Sequence, residues 1–216
     1  MTQVYETQVH ETQVHEIFPT AIMRVPGLLP AALVAAACRE AQAAKKKANV
    51  KSDLLSHTEV VSPKSNETFT AIGRSVLPKV VEYGALLFGE TLRWGITGMW
   101  VNVLEKGGHQ ALHTHANSFV SGVVFLTAMH SSARTMFDRP MGNPEFNFAN
   151  NHGKVEWRPY NSPQWVMPDA GASDLILFPS YMLHAVPRNE GAQRISVAFS
   201  AIPEHLDSWG YTIRFS

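Results

Sequence analysis

Hydrophobic and polar positions change rhythm twice along this chain of 216 residues. The opening repeats a pentad, TQVYE, TQVHE and TQVHE, over positions 2–16. A period of five matches neither a helix nor a strand, so no continuous apolar face forms. Residues 1–16 therefore read as a flexible or strand-added tail, and a single folded domain is expected over 17–216.

Two amphipathic helices come next, supplying helical support over about 28–92. The first is expected from Leu29 to Lys47, with Pro30 in its first turn and Lys45, Lys46 and Lys47 near the negative end of the helix dipole. The second is expected from Ser75 to Leu92. Leu77, Val80, Val81, Gly84, Leu87 and Phe88 would form its apolar stripe, with Pro78 early enough to be tolerated. The polar segment 50–72 between them is expected to cross the surface.

After Trp94 the rhythm turns to short β-rich runs separated by turn residues: TGMWVNVLE, FVSGVVFLTAM, ARTMFD, KVEWRPY, DLILFP, RISVAFSAI and GYTIRF. Such spacing signals an antiparallel sandwich or barrel. The fold class expected is α+β: a double-stranded β-helix (jelly roll, cupin-like) over about 94–216, supported by the N-terminal helices. Residues 139–152 read as a long loop.

Composition narrows the function. Hydrophobic residues make up 45% and charged residues 17%, so a packed core is expected and disorder is not. Lys+Arg and Asp+Glu both number 18, which leaves no basic excess to neutralise a phosphate backbone, and nucleic acid is not an expected partner. Cys38 is the only cysteine, which excludes an intrachain disulfide and a cysteine-based zinc cluster. The longest apolar run, from Gly27 to Cys38, is too short to span a bilayer. The start of the chain lacks the basic and apolar regions of a signal peptide. The expected location is cytoplasmic, with no membrane partner.

The chemistry gathers in two segments. His109, His113 and His115 fall close together after a Gly107-Gly108 turn and before an apolar strand. On an extended strand, side chains at i and i+2 share a face, so His113 and His115 can grip one ion at a barrel mouth. In DLILFPSYMLHAVPRNEGAQRIS, a buried strand and a tight turn at Pro179-Ser180 lead to His184, and Arg194 and Ser196 follow. Alternation sends Arg194, Ser196, Ala198 and Ser200 to one face and Ile195, Val197, Phe199 and Ala201 to the other. With the apolar face on the helices, Arg194 points into the barrel. A buried guanidinium needs an anion, and a ligand carboxylate held bidentately, with help from Ser196, would supply it.

This order, H-x-H, then His, then R-x-S, resembles the iron(II)- and 2-oxoglutarate-dependent oxygenases, most closely a bacterial and phage group of 2OG-Fe(II) oxygenases. The likeness runs from residue 17 to about 202 through IFPTAI, MWVNVLEKGG, HTHANSFVSGVVFL, DLILFPSYMLHAV and QRISVAFS. It implies Fe(II) held by His113, His115 and His184, and 2-oxoglutarate as cosubstrate with its distal carboxylate on Arg194, assisted by Ser196. O2 and a small-molecule or peptide substrate complete the implied reaction. The sequence departs from the wider superfamily at His115, where an H-x-D acid usually completes a 2-His-1-carboxylate triad. It also departs at SGVVFL, where relatives commonly carry tyrosines.

Other residues enter the expectation with smaller weight. Asp138 is an alternative carboxylate ligand. Asn102 is expected at the cosubstrate site, and Gln110 could orient groups at the mouth. His109 is expected in a loop or behind the ligands, and His130 and His152 at the surface. Trp94, Trp100, Trp157 and Trp165 read first as packing residues. Two other classes compete: a cupin-like three-histidine metalloprotein (dioxygenase or isomerase) that uses no 2-oxoglutarate, and a non-catalytic jelly-roll binding module. Arg194 with Ser196 argues against the former, and the intact histidine set against the latter. Oligomeric state is open, with a homodimer among the options.

Overall fold

The computed structural model describes residues 19–139, 153–158 and 161–215. The pentad repeat and nearly all of the expected loop at 139–152 lie outside these described residues. In chain order the elements are β1 (Met23–Val25), α1 (Ala31–Ala43), β2 (Lys47–Ala48), β3 (Leu55–His57), α2 (Glu67–Phe88), β4 (Trp94–Leu104), β5 (Gln110–His113), β6 (Val120–Phe125), β7 (Met136–Asp138), β8 (Gln164–Val166), β9 (Leu175–Pro179), β10 (His184–Val186), β11 (Arg194–Pro203), β12 (His205–Ser208) and β13 (Tyr211–Arg214).

Both helices depart from their expected bounds, each for a local reason. α1 stops at Ala43, short of the lysines. Lys46 Nζ folds back onto the carbonyls of Ala41, Gln42 and Ala44 at 2.7, 3.2 and 3.1 Å, so its charge sits where the helix exposes unpaired acceptors. Lys47 has already joined β2, opposite His57. α2 begins eight residues before Ser75, because Asn66 Oδ1 accepts from the Phe69 N–H at 2.8 Å and caps it. That places Pro78 inside the helix rather than near its start. The buried stripe is also displaced, centring on Ile72, Val76, Val80, Tyr83 and Gly84, while Phe88 is 37% exposed. Gly89, at φ +70°, ends the helix with its N–H on the Ala85 carbonyl.

The strands form a seven-stranded sheet in the order β1-β9-β6-β11-β4-β3-β2, a four-stranded sheet in the order β5-β10-β7-β8, and the β12-β13 hairpin. Every pairing is antiparallel. This is the expected double-stranded β-helix with N-terminal helices on its larger sheet. Residues 154–158 of the KVEWRPY run carry no strand.

Two apolar cores explain the layering. Ile195, Val197, Phe199 and Ala201 of β11 pack with Ile72, Val76 and Val80 of α2 in the first. Phe125, Phe137, Ile176 and Phe178 form the second, on the opposite face of the large sheet and against the small one. The first is closely fitted: Gly122 stands directly opposite Phe199, and a Cβ there would fall 2.1 Å from the Phe199 ring. The N-terminal segment is tied on by polar contacts. Asp174 accepts from Arg24 Nη2 at 2.7 Å and from the Gly27 N–H at 2.9 Å, and Ser173 Oγ donates to the Leu29 carbonyl at 2.7 Å.

Candidate active site

Register brings the histidines together. His113 ends β5, His184 begins β10, and the two are direct cross-strand partners. Their ring centroids are 4.2 Å apart. His115 reaches the same place by another route. β5 stops at His113, and His115 lies in the following loop, its N–H donating to the Ser180 carbonyl at 3.0 Å. The strand periodicity read from H-x-H therefore holds for His113 alone, and the chain bend after it delivers His115. One ring nitrogen from each histidine lies within 4.8 Å of the other two.

Hydrogen bonds set which nitrogen each ring offers. His113 Nδ1 lies 2.8 Å from the Ala111 carbonyl and His184 Nδ1 lies 2.8 Å from that of Met182. A carbonyl only accepts, so both Nδ1 atoms carry protons and both Nε2 atoms present lone pairs inward. Burial pulls all three histidines below their ordinary pKa. His115 falls to about 4 and His184 to about 3, each lowered further by His113 nearby. The rings are neutral at neutral pH, the form that binds a cation. Phe178 packs edge-on to His184 at 4.7 Å, and Trp100 lies 5.6 Å from His115.

Arg194 faces the same interior. It is 6% exposed, its Nη2 reaches Thr135 Oγ1 at 3.4 Å, and its guanidinium lies 5.0 Å over the Phe125 ring. Its Nε is buried without a partner among the described residues. Burial alone pulls its pKa down to about 10, still well above neutral, so the charge persists. Ser196 follows it on the same strand face, opposite Asn102 of β4. A single cleft is lined by His113, His115, His184, Arg194, Ser196 and Asn102, the full set expected from sequence, with Gln110 and Trp100 beside them. Gln110 Nε2 lies 3.2 Å from His113 Nε2. Thr135 also lines the cleft. No motif in the sequence marks it, although it stands two residues before the inward Phe137.

Asp138 is not part of this convergence. Phe137 pairs with His184 and faces it, so the next residue points the other way, and Asp138 Oδ1 accepts from Gln164 of β8 at 2.9 Å. His109 lies in a neighbouring groove, its N–H on the Asp53 carbonyl. Trp94 is buried against Gly84, and Trp165, half-exposed, packs on its cross-strand partner Phe137 at 5.9 Å, whereas Trp157 is 51% exposed and departs from a packing role. His152 lies outside the described residues.

These residues can offer a cation three neutral nitrogen donors and offer an anion a buried guanidinium. Residues 98–200, which contain the whole site, match the family described as "Putative 2OG-Fe(II) oxygenase". No curated protein matches the chain in sequence. Among solved structures, HygX from Streptomyces hygroscopicus with nickel and 2-oxoglutarate bound superposes at a TM-score of 0.62 and 13% identity, over 85% of this chain and 83% of that one. The non-heme alpha ketoglutarate dependent epimerase SnoN from nogalamycin biosynthesis gives 0.62 at 14% identity, over 86% and 80%. A Pseudomonas putida prolyl-4-hydroxylase gives 0.55 at 16% identity, over 84% and 92%. At these identities the structural likeness speaks to the fold.

Proposed function

We infer that this chain, a 2OG-Fe(II) oxygenase by the family match across its β core, holds Fe(II) through His113, His115 and His184 and seats 2-oxoglutarate on Arg194 and Ser196. The observation that carries the ligand assignment is Arg194: a charged guanidinium, almost fully buried, with, among the described residues, no partner for its Nε and no carboxylate lining its cleft. Burying such a charge is costly unless an anion completes it. The residues present therefore fit both groups, with lone pairs converging for the metal and a fork of donors for the acid.

With metal and cosubstrate bound, the centre couples oxidative decarboxylation of 2-oxoglutarate by O2, giving succinate and CO2, to oxidation of a substrate C–H bond. The chain's own share is positioning. His113 and His184 are oriented by carbonyls behind them, which keeps Nε2 aimed inward. Arg194 would hold the distal carboxylate, with Asn102 and Gln110, which line the same cleft, available to orient the bound acid. Phe178 and Phe137 close the side behind His184 against water.

The substrate we propose is a small molecule or a peptide side chain. HygX has been crystallised with hygromycin B, and small-molecule chemistry of that kind suits a cleft walled by Trp100. We place the protein in the cytoplasm; no described helix is long and apolar enough to cross a membrane. Residues 17–216 would act as one catalytic unit, with the repeat outside it. Anaerobic titration of the Fe(II) protein with 2-oxoglutarate tests the reading. A weak visible charge-transfer band should grow in, and succinate should form on admitting air. If neither occurs in a metal-loaded sample, the three-histidine protein without 2-oxoglutarate takes its place.

A further inference from the structure

His113 and His184 are held by the ladder between β5 and β10, but His115 is not in a strand, and something else must set its distance from them. Behind it runs a chain of three serine hydroxyls. Ser180 Oγ donates to Ser118 Oγ at 2.9 Å. Ser121 Oγ is 2.8 Å from Ser180 Oγ, and because the Ser180 proton is already used, Ser121 is the donor. Ser118 passes its own proton to the carbonyls of Val120 and Ala201, at 3.0 and 3.2 Å. Ser180 is 0% exposed and Ser121 1%, so water does not compete.

The three serines belong to different parts of the chain. Ser118 is in the loop that carries His115, Ser180 is in the turn that delivers His184, and Ser121 is on β6 of the large sheet. The same loops are joined by backbone bonds from His115 N–H to the Ser180 carbonyl, 3.0 Å, and from Ser180 N–H to the Phe119 carbonyl, 3.1 Å. Apolar side chains would fill this space with no directional demand, whereas a hydroxyl relay is satisfied only in one arrangement.

We propose that Ser118, Ser121 and Ser180 are positioning residues, a hydroxyl clamp that fixes the separation of His115 from His184 and so the geometry of the metal centre. The inference rests on the histidine triad being the metal site, and the experiment separates the two. Apo protein is titrated with Co(II), whose visible bands report coordination geometry, and its melting temperature is followed in parallel.

Ser180→Ala, Ser121→Ala and Ser118→Ala should each weaken Co(II) binding about tenfold or more and alter the band intensity. Ser118→Thr, which keeps a hydroxyl at the half-buried position, should restore both. Val76→Ala, in the helix-side core, serves as the control: it should lower the melting temperature and leave affinity and spectrum unchanged. Hydroxyl variants that lower the melting temperature like Val76→Ala yet keep wild-type affinity and bands would reduce the chain to a structural role and overturn the clamp. If His184→Ala also keeps wild-type affinity, the triad itself is wrong, and the clamp falls with it for that separate reason.

Discussion

His115 Nε2 and His184 Nε2 stand 3.3 Å apart across a sequence separation of 69 residues. Two ligands at adjacent corners of an octahedral ion, each with a bond of about 2.1 Å, would be about 3 Å apart. His184 Nδ1 already donates to Met182, so its Nε2 can only accept. The short separation thus sets two imidazole nitrogens at nearly the spacing a cation requires, His184 Nε2 offering its lone pair directly and His115 Nε2 doing so in the tautomer that carries its proton on Nδ1.

His184→Ala should lower Fe(II) affinity by ~100-fold or more, since removal of a ligand exceeds the 10–100-fold cost of losing an outer hydrogen-bond partner. Anaerobic titration calorimetry checks this. Full retention of iron would remove His184 from the site.

Arg194→Lys keeps the charge and loses the planar fork, so 2-oxoglutarate affinity should fall by ~1.5–3 kcal/mol, the worth of a charged hydrogen bond. Arg194→Ala should lose more, because the bound acid would then be buried without a counter-charge. The visible band of the anaerobic Fe(II) protein, followed against 2-oxoglutarate concentration, gives both constants. Unchanged binding in the alanine variant would detach Arg194 from the cosubstrate.

Gly122→Ala should destabilise the fold by ~1–3 kcal/mol, because the new methyl meets the Phe199 ring in a core with no slack. Chemical denaturation monitored by circular dichroism measures it. The paired change Gly122→Ala with Phe199→Leu should recover part of the loss, and no recovery would place the strain elsewhere.

Asp174 gives a pH-dependent contribution. Burial alone would raise its pKa, but the Arg24 guanidinium and the N–H groups of Gly27 and Gly171 outweigh it and hold the carboxyl below the usual aspartate range. A depressed carboxylate stabilises the fold above its unfolded pKa, and that stability is lost as pH falls through the lower, folded value. Asp174→Asn should therefore cost stability at pH 7, on the order of 2 kcal/mol for weakened charged hydrogen bonds. The gap from wild type should shrink below about pH 4, near the unfolded pKa of an aspartate. A gap independent of pH would mean that shape, not charge, is what Asp174 contributes.

Much of the site was legible because its signals are local. Alternation along β11 is a property of one strand, and it correctly sent Arg194 and Ser196 inward and Ile195, Val197 and Phe199 to the helices. The helix bounds were less legible. The Asn66 cap lay within a polar stretch that read as surface crossing, and Lys46 closed α1 from outside it.

By itself, then, the sequence determined the alternating strands, the inward arginine and the supply of three histidines, since these follow from side-chain type and backbone period. Only the tertiary structure decided that His113 and His184 are cross-strand partners, that Asp138 turns away toward Gln164, and that three serines from separate segments join in one relay. Those outcomes depend on hydrogen-bond register between distant segments, and register is set by how whole sheets pack, which no single stretch of residues encodes.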